Sequence, residues 1–386
     1  MSDIRADVRA TVESVDGTPL SPPEMASRVA VLADGSKATR GGRLPMWNRI
    51  EASPSRANWS RLNVAAAWCL TLAMLLIAAL RVVCHDATVP LVWLNAFTLY
   101  IYLPAYVVLA YAAWQRCWWL ATASAAVVAC HVAWVGPDFR PATPYVPPSA
   151  SATEKPQSVR VFYANVLGQN LEINPMIDEA IGSNADVIVL AEMQRPWYPE
   201  LAKSEALKEY RYGTQLQHRH EGDVNVFSRL PIRRLQLIKL GNRTSVVADL
   251  ALENETLRLF CLHSPRPIVD GAGEYVLFWR QMEPILAEQL EPIVVVGDFN
   301  ATQHSLVYEQ LMSGHFRSGH EDRGRGYATT WPNGLRPVPP IRIDQAFLSP
   351  QVECISVVEG TGLGSDHKPL ILDVRVHEPG PAGAAR

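Results

Sequence analysis

The sequence predicts an α/β (α+β) protein: a two-layered β-sandwich core flanked by helices, preceded by three transmembrane helices. Two observations support this prediction. Long uncharged apolar stretches are confined to about residues 63–137 of the 386-residue chain. From about residue 158, short apolar runs of strand length and amphipathic segments of helical spacing follow one another in mixed order. That order is typical of two packed β layers with helices outside them.

Residues 1–61 are polar, rich in Ala, Ser, Pro and Arg, and have no apolar periodicity. Such composition predicts a disordered tail. Its last third is basic and contains only one acidic residue, Glu51; the basic residues are Lys37, Arg40, Arg43, Arg49, Arg56 and Arg61. Positive charge next to a membrane span favours the cytoplasmic side, so we expect a cytoplasmic N-terminus.

Residues 62–136 are predicted to form three membrane spans, because about 20 apolar residues suffice to cross a bilayer. The stretches are Asn63–Leu80, a segment within Ala87–Gln115, and Cys117–Pro137. Tryptophans that suit the membrane interface lie at the predicted ends of the last two: Trp114, Trp118 and Trp119. The alternative is a buried helical bundle. Three uncharged runs in succession favour the membrane.

Three spans place everything after residue 137 outside the cytoplasm, in a multi-pass protein of a bacterial-type plasma membrane. Among the loop charges, Arg116 agrees with this orientation and Arg81 disagrees. Residues 137–156 are rich in Pro, Ser and Ala and predict an extended linker. No Cys/His zinc spacing occurs, and Cys261 and Cys354 are expected to pack as small hydrophobes.

Residues 157–386 are predicted to form the catalytic domain. Strands are expected at VRVFYANVL, ADVIVLAEM, DVNVFSRLPI, SVVADLAL, LRLFCLHSP, PIVVVGDFN, RIDQAFLS, ECISVVEG and LILDVRV. Helices are expected at INPMIDEAIGSN, EYVLFWRQMEPILAEQL and SLVYEQLM. The long second helix has apolar residues at helical spacing, which predicts that it packs against a sheet.

Polar side chains recur where these apolar strands begin or end. They are Asn165, Glu192, His263, Asp298, Asn300, Asp344, Asp366 and His367. Strand ends at one edge of a sheet project side chains into one crevice. Carboxylates, amides and imidazoles gathered there suit a hard divalent cation, Mg²⁺ or Mn²⁺, and a phosphate. In GDFN, strand alternation sends Phe299 to the core and Asp298 and Asn300 to the crevice.

The segments ANV, LAEMQ, FSRLPI, LHSP, GDFNAT, RIDQAFLS and GSDHKPL carry a resemblance to the endonuclease/exonuclease/phosphatase superfamily. GDFN followed by GSDH, with an upstream strand-terminal Glu, is its specific part. The resemblance spans about residues 158–376. With its three predicted spans, the chain also resembles a membrane-tethered bacterial subgroup that includes glycopeptide-resistance proteins of the VanJ type.

The resemblance implies a role for each site residue. Glu192 is the expected principal metal ligand, with Asn165 and Asp366 beside it. Asp298 is expected to activate the attacking water and Asn300 to hold water or a phosphoryl oxygen. His367, oriented by Asp344, is expected to donate to the phosphoryl oxygens. The resemblance also implies a second imidazole near the leaving group, His263, and substrate binding by Arg229. Trp331, which lies in a short basic stretch, is also expected to bind substrate.

Simpler structural interpretations exist for several of these residues. Asp298 and Asn300 can form an Asx turn, since both residue types favour turns. Asp344 can pair with Arg342, and His263 and Arg229 can be structural.

Three functions compete at this point. The first is a membrane-anchored Mg²⁺-dependent phosphoesterase acting outside the cytoplasm on a phosphate ester or pyrophosphate, lipid-linked substrates included. The second is an extracytoplasmic nuclease, and the third is a non-catalytic membrane receptor or scaffold.

From Lys155 onward the chain has 23 Lys and Arg against 28 Asp and Glu, a net charge of about −5. Nucleic-acid binding depends on basic residues, so this charge disfavours the nuclease. One short basic stretch suits either a nucleic-acid backbone or a lipid headgroup: Arg323, Arg325, Trp331 and Arg336.

Overall fold

Two mixed six-stranded β-sheets form the C-terminal part of the chain. The structure is a computed structural model that describes residues 56–143, 145, 147, 157–214, 223–289, 292–314, 316–334 and 337–377. The predicted tail up to residue 55 and most of the predicted linker lie outside these residues. The predicted two-layered fold with flanking helices is confirmed.

The first sheet has the strand order β11-β12-β1-β2-β4-β3 and the second the order β5-β6-β7-β8-β10-β9. The strands are β1 Ser158–Asn165, β2 Val187–Ala191, β3 Tyr212–Gly213, β4 Val224–Ser228, β5 Ile232–Leu240, β6 Arg243–Ala251, β7 Thr256–His263, β8 Ile293–Asp298, β9 Arg317–Ser318, β10 Asp344–Leu348, β11 Val352–Glu359 and β12 Leu370–Val376. Within each sheet one neighbouring pair is parallel, β1 with β2 and β7 with β8.

The described helices are α1 Arg56–Cys84, α2 Val89–Ala96, α3 Thr98–Ile101, α4 Pro104–Trp114, α5 Trp118–Val135, α6 Ile173–Gly182, α7 Trp197–Lys203, α8 Ala272–Ala287, α9 Leu306–Ser313 and α10 Gly319–Asp322. Short 3₁₀ turns cover Gly136–Phe139 and Ala206–Glu209. As the apolar spacing predicts, α8 packs on a sheet, with Phe278 and Met282 buried against β8.

The core lies between the two sheets and continues under the helices. Val294 and Val296 of β8 face the other sheet, whereas Ile293 and Val295 pack under α8. Burial on both faces explains why the run before GDFN is unbroken rather than alternating. Cys261 and Cys354 are buried in the core between the sheets without a disulfide, as expected of small hydrophobes.

The N-terminal helices pack against one another. Met74 and Ala78 of α1 contact Ala105 of α4 and Val127 of α5 in one apolar cluster. The outward sides remain apolar and exposed, for example Leu76 at 60% and Val107 at 72%. Residues Arg61–Cys84 and Trp118–Phe139 are each long and apolar enough to cross a membrane.

The second predicted span is not one straight helix. Helix α2 and the segment Thr98–Trp114 meet at an angle of 70°, and they count as a third span only if the bent pair is taken as one. Pro90 and Pro104 lie in the first turns of α2 and α4, where proline is tolerated because the first helical N–H groups have no partner. The 70° bend itself lies at Phe97, between α2 and α3, where neither proline is located.

Candidate active site

Strand direction brings the polar strand ends to one edge of the sandwich. In the parallel pairs, Asn165 ends β1 beside the end of β2, and His263 ends β7 directly opposite Asp298 of β8. Antiparallel β10 begins at the same edge, because Asp344 is in register with Asp298. Both sheets thus contribute to one cluster.

Asp298 lies at the centre of this cluster and is 2% exposed. Its position depends on Gly297, where a Cβ atom would lie 2.1 Å from the carbonyl oxygen of Leu262 on β7. After the strand, Phe299 is buried in the core as predicted. Asn300 adopts a left-handed conformation with φ 47°, and its backbone N–H donates to Asp298 Oδ1 at 2.9 Å. The Asx turn is therefore present, and both side chains also face the cavity of the site.

His367 is held between two carboxylates. Its Nδ1 lies 2.9 Å from Asp344 Oδ2, and its Nε2 lies 3.8 Å from Asp298 Oδ2. Burial opposes protonation, yet the charges of Asp344 and Asp298 raise the pKa of His367 to about 10. The imidazole is therefore a cation at neutral pH that can attract a phosphoryl oxygen.

The pKa of Asp298 is raised, whereas pairing with a cation such as His367 would lower the pKa of a solvated carboxylate. Burial raises the pKa of Asp298 to about 7, against the charge of His367 and assisted by that of Asp344. A carboxylate whose pKa lies near the working pH suits a group that accepts a proton from water.

Glu192 and Asn165 come together on the first sheet. The side-chain amide of Asn165 donates to Glu192 Oε1 at 3.0 Å and to Asp298 Oδ2 at 3.1 Å. Glu192 has φ 60°, uncommon for a residue with a side chain, and such strain is a feature of functional sites.

His263 completes the cluster from β7 and is 1% exposed. Its Nε2 lies 3.4 Å from Glu192 Oε1, and neither ring nitrogen has a hydrogen-bond partner. Burial lowers the pKa of His263 to about 4, so the ring is neutral at pH 7. The two imidazoles of the site therefore carry different charges.

The donor set fits a divalent cation. Carboxylate oxygens of Asp298 and Asp344 lie within 4.8 Å of each other and of the His367 ring, and Asp344 Oδ1 is buried without a hydrogen-bond partner. The cationic ring of His367 supplies charge to the cluster and not a ligand atom. Glu192 adds a third carboxylate, so His367 alone does not neutralise the buried negative charge. Carboxylate oxygens are the ligands that Mg²⁺ and Mn²⁺ prefer. Glu192, Asn165 and Asp366 remain the residues we expect to hold the ion.

A cavity of about 260 Å³ opens in front of the cluster. One wall is polar and includes Glu192, Asp298, Asn300, Asp366 and His367. The opposite wall comes from the bent apolar region: Val92, Trp93, Ala96 and Phe97 of α2 and the residue after it. Ile268, Val269 and Ile341 extend the apolar lining.

The remaining predicted site residues are placed as follows. Asp366 and Trp331 line this cavity, and the indole N–H of Trp331 donates to Asp366 Oδ2 at 3.1 Å. The predicted substrate-binding role of Arg229 is wrong. Arg229 follows β4 at the opposite end of the sheet, because β4 is antiparallel to β2 and Ser228 pairs with Val187. There Arg229 contacts Asn184 and Glu209 rather than the cavity.

Two further structural alternatives are also decided. Asp344 pairs with His367 and not with Arg342, whose guanidinium donates to the carbonyl oxygens of Arg325 and Gly326. Arg325 of the short basic stretch is in an ion pair with Glu359. Arg336 lies outside the described residues.

Sequence reasoning missed residues that support the site. Thr330 Oγ1 accepts the backbone N–H groups of Ile343 and Asp344, and Ser365 Oγ bonds both Asn165 O and His367 N. Ser365 belongs to GSDH and had a signal in the motif. The α2 residues that line the cavity had no such signal, because the sequence predicts that they are part of a membrane span.

The sequence profile of the Endonuclease/Exonuclease/phosphatase family matches residues 162–367. Similar solved structures include truncated Caenorhabditis elegans TDP2 (14% identity, TM-score 0.44, 57% of this chain and 98% of that chain). Others are D. rerio TDP2 complexed with single strand DNA product (16%, 0.47, 56% and 99%) and a Beutenbergia cavernae endonuclease/exonuclease/phosphatase (19%, 0.43, 57% and 72%). No curated protein matches the chain.

The matched region covers more than half of the chain and begins within β1 and ends at His367, so it includes every residue of the polar cluster. Members of this superfamily are metal-dependent phosphoester hydrolases, in agreement with the carboxylate and imidazole side chains found here. The chain belongs to the Endonuclease/Exonuclease/phosphatase family.

Proposed function

We propose that the protein is a membrane-anchored, Mg²⁺-dependent phosphoesterase that hydrolyses a lipid-linked phosphate ester or pyrophosphate outside the cytoplasm. It is expected to belong with the membrane-tethered, VanJ-type subgroup. The observation that carries the proposal is the two-sided cavity. Its polar wall has the residues for phosphoryl transfer, and its opposite wall is apolar and comes from α2.

The apolar wall favours an amphiphilic substrate. Trp93 is 38% exposed and lines the same cavity as Asp298 and His367. An apolar chain in contact with Trp93 and Phe97 leaves water, which stabilises its binding by about 25 cal/mol for each Å² buried. Nucleic-acid bases can stack on these two aromatic rings, but a nucleic acid has no alkyl chain to place against the aliphatic part of the lining, Ile268, Val269 and Ile341. These aliphatic side chains support the phosphoesterase over the nuclease.

The chemistry follows from the charges of the cluster. A bound Mg²⁺ supplies Lewis acidity and orients the phosphate, with Glu192 as its principal protein ligand. Asp298 accepts a proton from the attacking water, and the cationic His367 attracts the phosphoryl oxygens as their charge grows. Asp344 orients His367 through Nδ1, which leaves Nε2 directed toward the cavity.

The membrane assignment rests on the exposed apolar surfaces of the N-terminal helices. Trp114, Trp118 and Trp119 are 79%, 68% and 84% exposed around the turn between α4 and α5, as suits an interfacial belt. At the other ends of the helices, Arg81 at the end of α1 and Asp138 after α5 both contact the catalytic domain. The substrate cavity therefore lies close to one membrane surface.

The test uses the full chain in detergent micelles with Mg²⁺. A lipid-linked pyrophosphate analogue, a sphingophospholipid, an inositol phosphate, DNA and a water-soluble aryl phosphate are offered in parallel. We expect the amphiphiles to be hydrolysed with the highest kcat/KM, and chelation or Glu192→Ala to nearly abolish turnover. DNA as the best substrate would establish the nuclease, and turnover that persists in chelator would remove the metal.

A variant pair tests the apolar wall. Trp93→Ala is expected to raise KM for the amphiphile and to leave the water-soluble ester unchanged. Trp118→Ala, an equivalent loss of indole at the far end of the helices, is the control and should change neither. An equal effect of Trp93→Ala on both substrates would contradict binding of an apolar chain at this wall.

A further inference from the structure

A second cavity of about 510 Å³ lies beside the first. The two cavities share Glu192 and Arg266, so they meet at the polar cluster. Their linings differ: α2 residues line only the first, whereas the second is polar and includes Gln194, Asp223 and His263. A phosphoryl group at the cluster thus has an apolar space on one side and a polar space on the other.

Three guanidinium groups line the second cavity, those of Arg195, Arg243 and Arg266. Arg243 is fixed in place, because its two terminal nitrogens lie 3.2 Å from Asp223 Oδ1 and 2.7 Å from Asp270 Oδ2. Guanidinium groups bind phosphate and carboxylate oxygens through paired, charge-assisted hydrogen bonds. Glu192 and Asp223 also line this cavity and offset part of the positive charge, and Arg266 Nε lies 3.6 Å from Asp270 Oδ2. An anion is therefore expected to bind where a guanidinium is exposed, at Arg266.

Arg266 lies at the junction of the two cavities. It stands between Pro265 and Pro267, whose rings restrict the backbone on both sides. Its backbone N–H donates to Asp270 Oδ2 at 2.7 Å, and its side chain remains 47% exposed. The loop is thus held in place while the guanidinium is accessible to a ligand.

His263, a member of the polar cluster, forms part of the wall of the second cavity. It lines the second cavity and not the first, it is 1% exposed, and neither ring nitrogen has a hydrogen-bond partner. Buried polar groups are nearly always hydrogen-bonded, so an unpartnered imidazole at a cavity wall indicates a group that is supplied by a ligand.

We propose that the second cavity is an anion subsite, in which Arg266, with Arg195 and Arg243, binds a negatively charged group attached to the far side of the phosphoryl group that is cut. This inference rests on the proposed function and names its substrate class. The substrate is an amphiphilic diphosphate or a phosphodiester with an anionic headgroup, and not a phosphomonoester.

The bond cut is the P–O bond that faces the second cavity. The water oxygen bonds to phosphorus and one water proton passes to Asp298. The electron pair of the broken P–O bond stays on the departing oxygen, which leaves with the anionic group and takes a proton from solvent as its own pKa requires. The products are an apolar monophosphate and the free anionic group.

The experiment, in the full protein with Mg²⁺, compares two substrates that share one apolar chain with a diester that has different chains. Farnesyl diphosphate has the anionic group, farnesyl monophosphate lacks it, and dihexanoyl phosphatidylserine carries it on a diester. We expect kcat/KM of the wild type to be at least about tenfold higher for one of the two anionic-headed substrates than for the monophosphate. That preference also identifies the source of the anionic group.

Arg266→Gln tests the subsite. Loss of its charge-assisted hydrogen bond is expected to lower kcat/KM for the preferred substrate by at least about tenfold, which is about 1.4 kcal/mol. Farnesyl monophosphate should change less than about twofold. Arg234→Gln, which removes an exposed charge on β5, is the matched control and should affect neither substrate.

The outcomes separate the two proposals. If the wild type hydrolyses no phosphorylated amphiphile with Mg²⁺, the proposed function fails and the subsite fails with it. If it hydrolyses the monophosphate as well as the diphosphate and the diester, or if Arg266→Gln lowers turnover of all three equally, only the subsite is refuted. A lowered melting temperature of Arg266→Gln with unchanged substrate ratios also refutes it.

Discussion

At the scale of single residues, the sequence predicted the position of a site residue when that residue ends a buried strand at the active-site edge of a sheet. Asp298 follows a strand buried on both faces, so its backbone had to be fixed at a sheet edge. Arg229, named as a substrate-binding residue because its segment resembles the family, also follows an apolar strand but lies at the other edge of the sheet. A strand has two ends, and only the direction of β4 within the sheet decides which edge Arg229 occupies. Strand direction depends on pairing between distant segments, which no local pattern encodes.

Asp298→Asn is expected to lower kcat by about 10²-fold or more, the usual scale for loss of a general base. The amide keeps the size of the carboxylate but does not accept a proton from water. Folding should persist, because the substitution removes one of the buried negative charges. Steady-state kinetics of the full chain measure the effect. Asp178→Asn, an exposed carboxylate on α6, is the control. Wild-type kcat in Asp298→Asn would exclude this carboxylate as the base.

His320 makes part of the fold sensitive to pH at a distance from the catalytic cluster. It is 0% exposed, its Nε2 lies 3.3 Å from Glu359 Oε1, and Arg325 and Arg342 are nearby cations. Burial lowers the pKa of His320 from 6.5 to about 4. Between these values the unfolded chain binds a proton that the folded chain does not, so stability falls as pH falls from about 6.5 to about 4.

His320→Gln removes this titration and retains a donor for Glu359. The wild type should lose about 3 kcal/mol more of its free energy of unfolding than the variant does between pH 7 and pH 4. Thermal unfolding of both proteins in detergent over that range measures the difference. Parallel pH profiles of the two proteins would show that His320 does not cause the loss.

At the scale of elements, the turn between α1 and α2 is joined to the loop that follows the catalytic strand β8. Asp86 Oδ2 accepts the backbone N–H of Leu306 at 2.6 Å, and Arg81 donates to the carbonyl oxygen of His304 at 2.9 Å. Only a few residues separate His304 from Asn300. The membrane-type helices thus help to hold the loop that carries Asn300, in addition to lining the cavity.

Asp86→Ala is expected to lower kcat by about tenfold for soluble and amphiphilic substrates alike. It leaves the N–H of Leu306 without its acceptor, and small displacements of catalytic groups are costly. Asp86→Asn keeps a carbonyl acceptor for that N–H and should retain most of the activity. The two variants are compared by kcat on a water-soluble ester. Equal activity of Asp86→Ala and the wild type would show that the turn does not position the loop.

At the scale of the whole molecule, the sandwich was predictable because its strands and helices have clear apolar periods. The bent region 89–114 was not, since hydropathy measures how apolar a segment is and not whether it is straight. The chain bends at Phe97, and α2 on one side of that bend lines the active-site cavity. The contact of Arg81 could not be predicted from the sequence either. As a basic loop residue, Arg81 disagreed with the predicted orientation, but in the structure it is buried and bonded to the catalytic domain.

That contact bears on the topology of the chain. Arg81 was the loop charge that opposed a cytoplasmic N-terminus, and a residue that is 4% exposed and bonded to the domain gives no information on membrane orientation. The basic cluster between Lys37 and Arg61 then remains as the main orienting charge. If the bent pair is one span, the chain crosses three times, and we expect the catalytic domain on the side opposite to that cluster.

A reporter that is active only outside the cytoplasm, fused after residue 386, is therefore expected to be active. A reporter that is active only in the cytoplasm should be silent at the same position. Arg81→Gln should leave both signals unchanged, because its charge does not orient the chain. Replacing the basic residues between Lys37 and Arg61 by Gln should lower the extracytoplasmic signal, since the remaining loop charge of Arg116 acts alone. An active cytoplasmic reporter on the wild type would overturn the orientation and place the substrate cavity inside the cell.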